Sequence, residues 1–135
     1  MKLVKEFPAK VTELDNVLAF AEDQLSALDA SMKVTMQVTI SLEEIFVNVA
    51  NYAYPNSEGV AYITFDCVDG VAIIEIIDNG IQFNPLEHLD PDTTLSADER
   101  SIGGLGIFMT KKSMDEVTYR YENNQNILTM TKRIS

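Results

Sequence analysis

Val60-Ala61-Tyr62-Ile63-Thr64-Phe65-Asp66-Cys67-Val68-Asp69-Gly70-Val71-Ala72-Ile73-Ile74-Glu75-Ile76-Ile77 is the stretch that decides the fold class. Both arms are rich in β-branched and aromatic side chains, which suit a pleated surface, and Asp69-Gly70 between them suits a two-residue hairpin turn. The reading is an antiparallel pair, Val60 to Val68 and Val71 to Ile77.

Upstream the periodicity changes. From about Met32 to Ala53, Leu42, Ile45, Phe46, Val49, Ala50 and Ala53 fall at i, i+3, i+4, i+7, i+8 and i+11, one face of a long helix that ends near Pro55-Asn56. An earlier helix starts at Thr12, with Asp15 three residues on as a capping pair, and shows apolar positions at Leu14, Val17, Leu18, Ala21, Leu25 and Leu28. Residues 2–7 read as an edge strand. Downstream, residues 78–102 lose periodicity and carry Gly80, two prolines and five acids between Glu87 and Glu99, the marks of a long irregular segment that carries function or disorder. A short helix is expected from Gly103-Gly104-Leu105-Gly106. Val117 to Tyr121 and Leu128 to Lys132 make a last hairpin turned near Asn123-Asn124. The order β-α-α-β-β-loop-α-β-β predicts an α+β two-layer sandwich, a mixed and mostly antiparallel sheet with helices on one face. The other face is left exposed or covered by a partner.

The chain has 135 residues, which predicts a single domain spanning 1–135. Hydrophobic residues make up 46 % and charged residues 23 %, the composition of a packed globular protein rather than a disordered or fibrous one. Ten Lys and Arg against 21 Asp and Glu leave a net charge of −11, which repels phosphate backbones and anionic lipid, so neither nucleic acid nor membrane is expected as a partner. No apolar run is long enough to span a bilayer and the first residues do not read as a signal peptide, so a soluble cytoplasmic protein is expected. The lone Cys67 has no disulfide partner and is expected in the core, and His88 reads as a solvated loop residue without a nucleophile beside it.

Three segments could carry chemistry. Glu44, Asn48 and Asn51 lie at i, i+4 and i+7 on the long helix, roughly opposite its apolar stripe. Such a ridge is ordinarily a solvated face, yet a glutamate can take a proton and an amide oxygen can bind a hard cation such as Mg²⁺. Next, Ile76-Ile77-Asp78-Asn79-Gly80 ends a strand in an acid followed by a glycine. An ionised Asp78 accepts hydrogen bonds only, which fits an exocyclic amine, and Gly80 would let a flat ring approach the backbone; turn formation alone would also explain both. Finally, glycines run directly into a helix at Gly103-Gly104-Leu105-Gly106, where free N–H groups and the helix dipole favour a phosphate, although a plain helix entry is as good an account. Arg100 is the one cation between Asp78 and Phe108. Walker-type and dinucleotide-binding glycine patterns are absent.

In this order, Glu44 to Asn48 on a helix, Asp78-Asn79-Gly80 after a strand and Gly104-Leu105-Gly106 before a helix resemble the N, G1 and G2 boxes of the GHKL ATPases, the Bergerat nucleotide-binding fold. The run Glu99 to Asp115 looks especially like the bacterial anti-sigma factor serine/threonine kinases within that superfamily. The resemblance covers nearly the whole chain. It departs from the family pattern at Tyr52, where a histidine often follows the N box.

The resemblance implies ATP and Mg²⁺ as ligands. It assigns Glu44 as the base that deprotonates the attacking hydroxyl and Asn48 as the Mg²⁺ ligand. It implies an ATP-binding set of Asn48, Asn51, Asp78, Gly80, Phe83, Gly103, Gly104, Leu105 and Gly106, with Asp78 reading adenine and residues 86–102 forming a lid. Arg100 is expected near the terminal phosphate. The implied acceptor is a Ser or Thr on a STAS-domain anti-sigma factor antagonist, with a sigma factor as the competing partner and a homodimer as a possible assembly. Two other functions stand beside this one: a nucleotide-gated binding module without turnover, and a detached histidine-kinase-like catalytic domain.

Overall fold

The computed structural model describes residues 2–88 and 110–134. An edge strand β1 (Leu3–Pro8) leads into helices α1 (Leu14–Ala27) and α2 (Met32–Tyr52). Strands β2 (Val60–Val68) and β3 (Val71–Asp78) follow, then a short 3-10 turn at Pro85–His88, and then β4 (Glu116–Glu122) and β5 (Gln125–Arg133). The strands form one five-stranded sheet in the order β1-β2-β3-β5-β4. All four pairings are antiparallel, so the expected mixed sheet is antiparallel throughout. Both hairpin turns have the left-handed backbone that two-residue connections require, with φ 52° at Asp69, 77° at Gly70, 53° at Asn123 and 63° at Asn124.

Strand alternation decides which side chains meet the helices. Ala61, Ile63 and Phe65 on β2, Ala72, Ile74 and Ile76 on β3, and Leu128 and Met130 on β5 are buried in one cluster with Val17, Ala21 and Leu25 of α1 and Val38, Leu42, Ile45 and Phe46 of α2. Removing Leu42 to Ala from this core would cost about 2–5 kcal/mol. The same alternation carries Asp78, two residues beyond Ile76, onto the buried side at the end of β3, where it is 3 % exposed. On the opposite face Glu75 sits among polar neighbours, accepting from Thr129 Oγ1 at 2.9 Å with Lys2 and Arg120 at 3.4 and 3.6 Å. No helix among the described residues covers that face.

Helix α2 is held at both ends. Ser31 Oγ accepts from the Val34 N–H at 3.1 Å, satisfying one of the first-turn donors that otherwise lack an intrahelical partner. Past its C-terminus the Tyr54 hydroxyl donates to the Val60 carbonyl at 2.6 Å and accepts from the Asn79 N–H at 2.8 Å, which ties the α2–β2 connection to the end of β3.

Several expectations are revised. Thr12 does not cap α1: the chain makes a 3-10 turn at Val11–Glu13, and α1 begins at Leu14 with Glu13 as its N-cap and no side-chain cap. Leu28 falls past the last turn and is 39 % exposed, because the stripe outruns the helix. Cys67 is only partly buried, near the β2–β3 turn. The helix start expected at Gly103 to Gly106 lies outside the described residues, as does most of the expected lid, while residues 110–113 are helical.

Candidate functional site

An open cleft lies where the C-terminal half of α2 passes over the end of the sheet. Ile45, Asn48, Val49 and Ala53 line it from α2, and Ile76 and Asp78 from β3. Phe83 and Pro85 close one side, and Tyr119, Asn126 and Leu128 supply the rest from the last hairpin. An apolar slot with a few convergent polar groups is the usual character of a small-molecule site.

Asp78 is the polar floor. Its Oδ1 accepts from the Gly80 N–H at 2.9 Å and from Asn126 Nδ2 at 2.8 Å, while Oδ2 takes no hydrogen bond from the described residues. Burial pushes its carboxyl above the usual carboxylate range, and the donations from Asn126 and Gly80 pull the other way. A carboxylate with one oxygen anchored and one open to the cleft fits an exocyclic amine of a flat heterocycle.

The N-box residues take up unequal places. Asn48 lines the cleft and donates from Nδ2 to Glu44 Oε1 at 3.4 Å, which leaves its Oδ1 without a partner among the described residues. An oxygen so placed suits Mg²⁺, which takes few protein ligands and draws the rest of its shell from phosphates and water. Glu44 is partly buried one helical turn earlier and outside the cleft lining. Its carboxyl is raised above the ordinary range, first by burial and further by Glu43, with the Asn48 bond opposing. A base raised in this way binds a proton more readily when a hydroxyl gives one up. Asn51 is exposed and does not line the cleft, since a further turn of α2 carries it round toward solvent.

Gly80 has a structural requirement of its own. A Cβ there would lie 2.2 Å from the Ala53 carbonyl oxygen, so the end of α2 packed against it needs the glycine. Phe83 lines the cleft and stacks on Tyr52, with centroids 5.4 Å apart and planes at 30°. Tyr52 is itself 51 % exposed and outside the lining, so it meets the cleft only through Phe83. Arg100, Gly103, Gly104, Leu105 and Gly106 lie outside the described residues.

Sequence reasoning missed Asn126 and Tyr119. Asn126 is 5 % exposed and stands opposite Asp78 across the β3–β5 ladder. The signal was available: Asn126 shares the buried alternation of β5 with Leu128 and Met130, where a carboxamide needs partners.

A helix-backed antiparallel sheet carries a buried carboxylate under the cleft and a carboxylate–carboxamide pair on the overlying helix, the arrangement expected of an ATPase domain of the GHKL class. Residues 7–132 match the model of the histidine kinase-like ATPase domain, and the chain belongs to that family. It is similar to the serine/threonine-protein kinase BtrW of Bordetella bronchiseptica, with 24 % identity over 102 residues, 75 % of this chain and 72 % of that one. It is also similar in fold to the crystal structure of the RsbU and RsbW domains of Rv1364c from Mycobacterium tuberculosis, with a TM-score of 0.71 at 16 % identity. That match takes in 99 % of this chain and 32 % of the solved one, so this chain spans about a third of its length. No helix of the described residues is long and apolar enough to cross a membrane.

Proposed function

We propose that this protein is an ATP-dependent serine/threonine kinase that acts as an anti-sigma factor, with a STAS-domain antagonist as the phosphoacceptor and a sigma factor as the competing partner. The observation that carries the reading is the Glu44–Asn48 pair, 3.4 Å apart on the helix that roofs the Asp78 cleft. The family membership and the likeness to BtrW support it.

In this reading Asp78 Oδ2 accepts the exocyclic amine of adenine, and the apolar walls from Ile45, Val49 and Leu128 exclude water from the base. Asn48 Oδ1 would hold Mg²⁺, which would supply neutralising charge for the triphosphate. Glu44 Oε2, the oxygen to which Asn48 does not donate, takes the proton from the acceptor Ser or Thr hydroxyl. The hydroxyl oxygen bonds to the γ-phosphorus, the bond to the bridging oxygen of ADP breaks, and ADP leaves with that electron pair. Positioning and charge neutralisation carry most of such a transfer, which suits a chain with few cations of its own.

The test is transfer of labelled phosphate from ATP to a STAS protein encoded beside this chain, wild type against Glu44→Ala. Loss of transfer with ATP binding retained supports the kinase. Transfer that survives the change rejects Glu44 as the base, and a wild type that binds ATP but transfers nothing leaves the nucleotide-gated binding module.

A further inference from the structure

Asn126 makes four hydrogen bonds. Its Nδ2 donates to Asp78 Oδ1 at 2.8 Å and to the Ile81 carbonyl at 2.7 Å. Its Oδ1 accepts from the Phe83 N–H at 3.0 Å and from the Tyr119 hydroxyl. That is the full capacity of a carboxamide, two donors and two lone pairs. The partners also decide which way the amide faces: turned over, its oxygen would meet two acceptors, Asp78 Oδ1 and the Ile81 carbonyl, and its nitrogen the Phe83 N–H donor. Asn126 therefore has nothing left to offer a ligand, although it lines the cleft.

We infer that Asn126 is a positioning residue for base selection, holding Asp78 with Oδ1 engaged and Oδ2 as a bare acceptor, so that the cleft takes a base bearing an exocyclic amine and rejects one with a carbonyl there. The inference rests on the ATP-binding reading of the cleft and deepens it. Its physical core is that a carboxyl can read either kind of base. Ionised, it only accepts and matches an amine; protonated, it donates through O–H and matches a carbonyl oxygen. The terminal torsion of aspartate is broad, so the fixed direction of the carboxylate comes from its partners rather than from its own rotamer. A donor held on Oδ1 favours the ionised form and keeps it from turning. The Ile81 and Phe83 bonds of the same amide draw the segment after β3 against β5, which sets the Phe83 wall of the cleft on the frame that orients Asp78.

The experiment compares affinities for ATP and inosine triphosphate, in which a carbonyl replaces the exocyclic amine, by calorimetry with Mg²⁺ present. Wild type, Asn126→Ala and Tyr119→Phe are measured, with melting of the unliganded proteins as the folding control. Wild type is expected to prefer ATP, and Asn126→Ala to narrow that preference by roughly tenfold, the size of one charge-assisted hydrogen bond. Tyr119→Phe removes one donor from Asn126 Oδ1 and leaves both Asn126 Nδ2 bonds, so it is expected to narrow the preference in the same direction by less; it carries the test if Asn126→Ala does not fold. A merely structural role would weaken both nucleotides alike and leave the ratio where it was. An unchanged ratio in the folded variant overturns the inference while the ATP reading stands. A folded wild type that binds neither nucleotide overturns both.

Discussion

Gly80 lies against the carbonyl group of Ala53, the residue that closes α2: a Cβ at position 80 would come within 2.2 Å of that oxygen and 2.6 Å of its carbon. The neighbouring Ile81 N–H donates to the same carbonyl at 2.9 Å. The end of the helix and the turn after β3 are thus one joint, and the Gly80 N–H belongs to it through Asp78.

Gly80→Ala should therefore lower stability by about 1–3 kcal/mol, the ordinary cost of overpacking a tight contact. The midpoint of urea unfolding should fall with an unchanged slope. ATP affinity should fall with it, because the turn that donates to Asp78 has to move. A midpoint equal to wild type would show that the joint yields freely.

Asp78→Asn separates binding from stability. Burial raises the native carboxyl above its unfolded value, so ionising it opposes folding: stability is greatest below the unfolded pKa and declines as pH rises through the native one. Removing the charge removes that decline. The unliganded variant should melt no lower than wild type at neutral pH, while ATP binding weakens by about 1.5–3 kcal/mol, roughly ten- to a hundredfold. Thermal melts across pH, with and without ATP and Mg²⁺, read both effects.

Glu44→Gln should lower phosphoryl transfer by roughly 10²- to 10⁴-fold, the span of general-base catalysis, with ATP affinity retained. A base must be unprotonated, and the Glu44 carboxyl is raised by burial and by Glu43. Turnover should accordingly fall on acidification at a pH above the ordinary glutamate range, and Glu43→Gln should move that midpoint down. Steady-state rates against pH check this, and a midpoint indifferent to Glu43→Gln would remove that carboxylate from the account.

Ser31→Ala removes the cap of α2, at a cost of about 1 kcal/mol. Ser31 lies more than three helical turns before Glu44, so nucleotide affinity should stay with wild type while the melting temperature drops. A loss of affinity would mean that the helix start and the cleft are mechanically coupled.

Local pattern was enough for the class of fold and for the two boxes that lie within the described residues. β-branched runs either side of Asp69-Gly70 and Asn123-Asn124 set two hairpins, and a 3.6-residue period set α2 to within a residue of its end, because these signals come from chain neighbours. The α1 start escaped the pattern: Thr12 has the right chemistry for a cap, but the chain turns in 3-10 form first.

The order of residues alone specified what is periodic: the hairpin strands, the two helices with their apolar stripes, an acid at the end of β3, and Glu44 and Asn48 on one ridge of α2. Which of those groups meet was settled by packing. Asn126 reaches Asp78 from 48 residues away because β5 pairs with β3, Asn51 is turned out while Asn48 is turned in, and Gly80 answers to a helix end 27 residues earlier. Spacing along a chain specifies the direction of a side chain within its own element; the partner it finds there depends on how distant elements pack, and no local period encodes that.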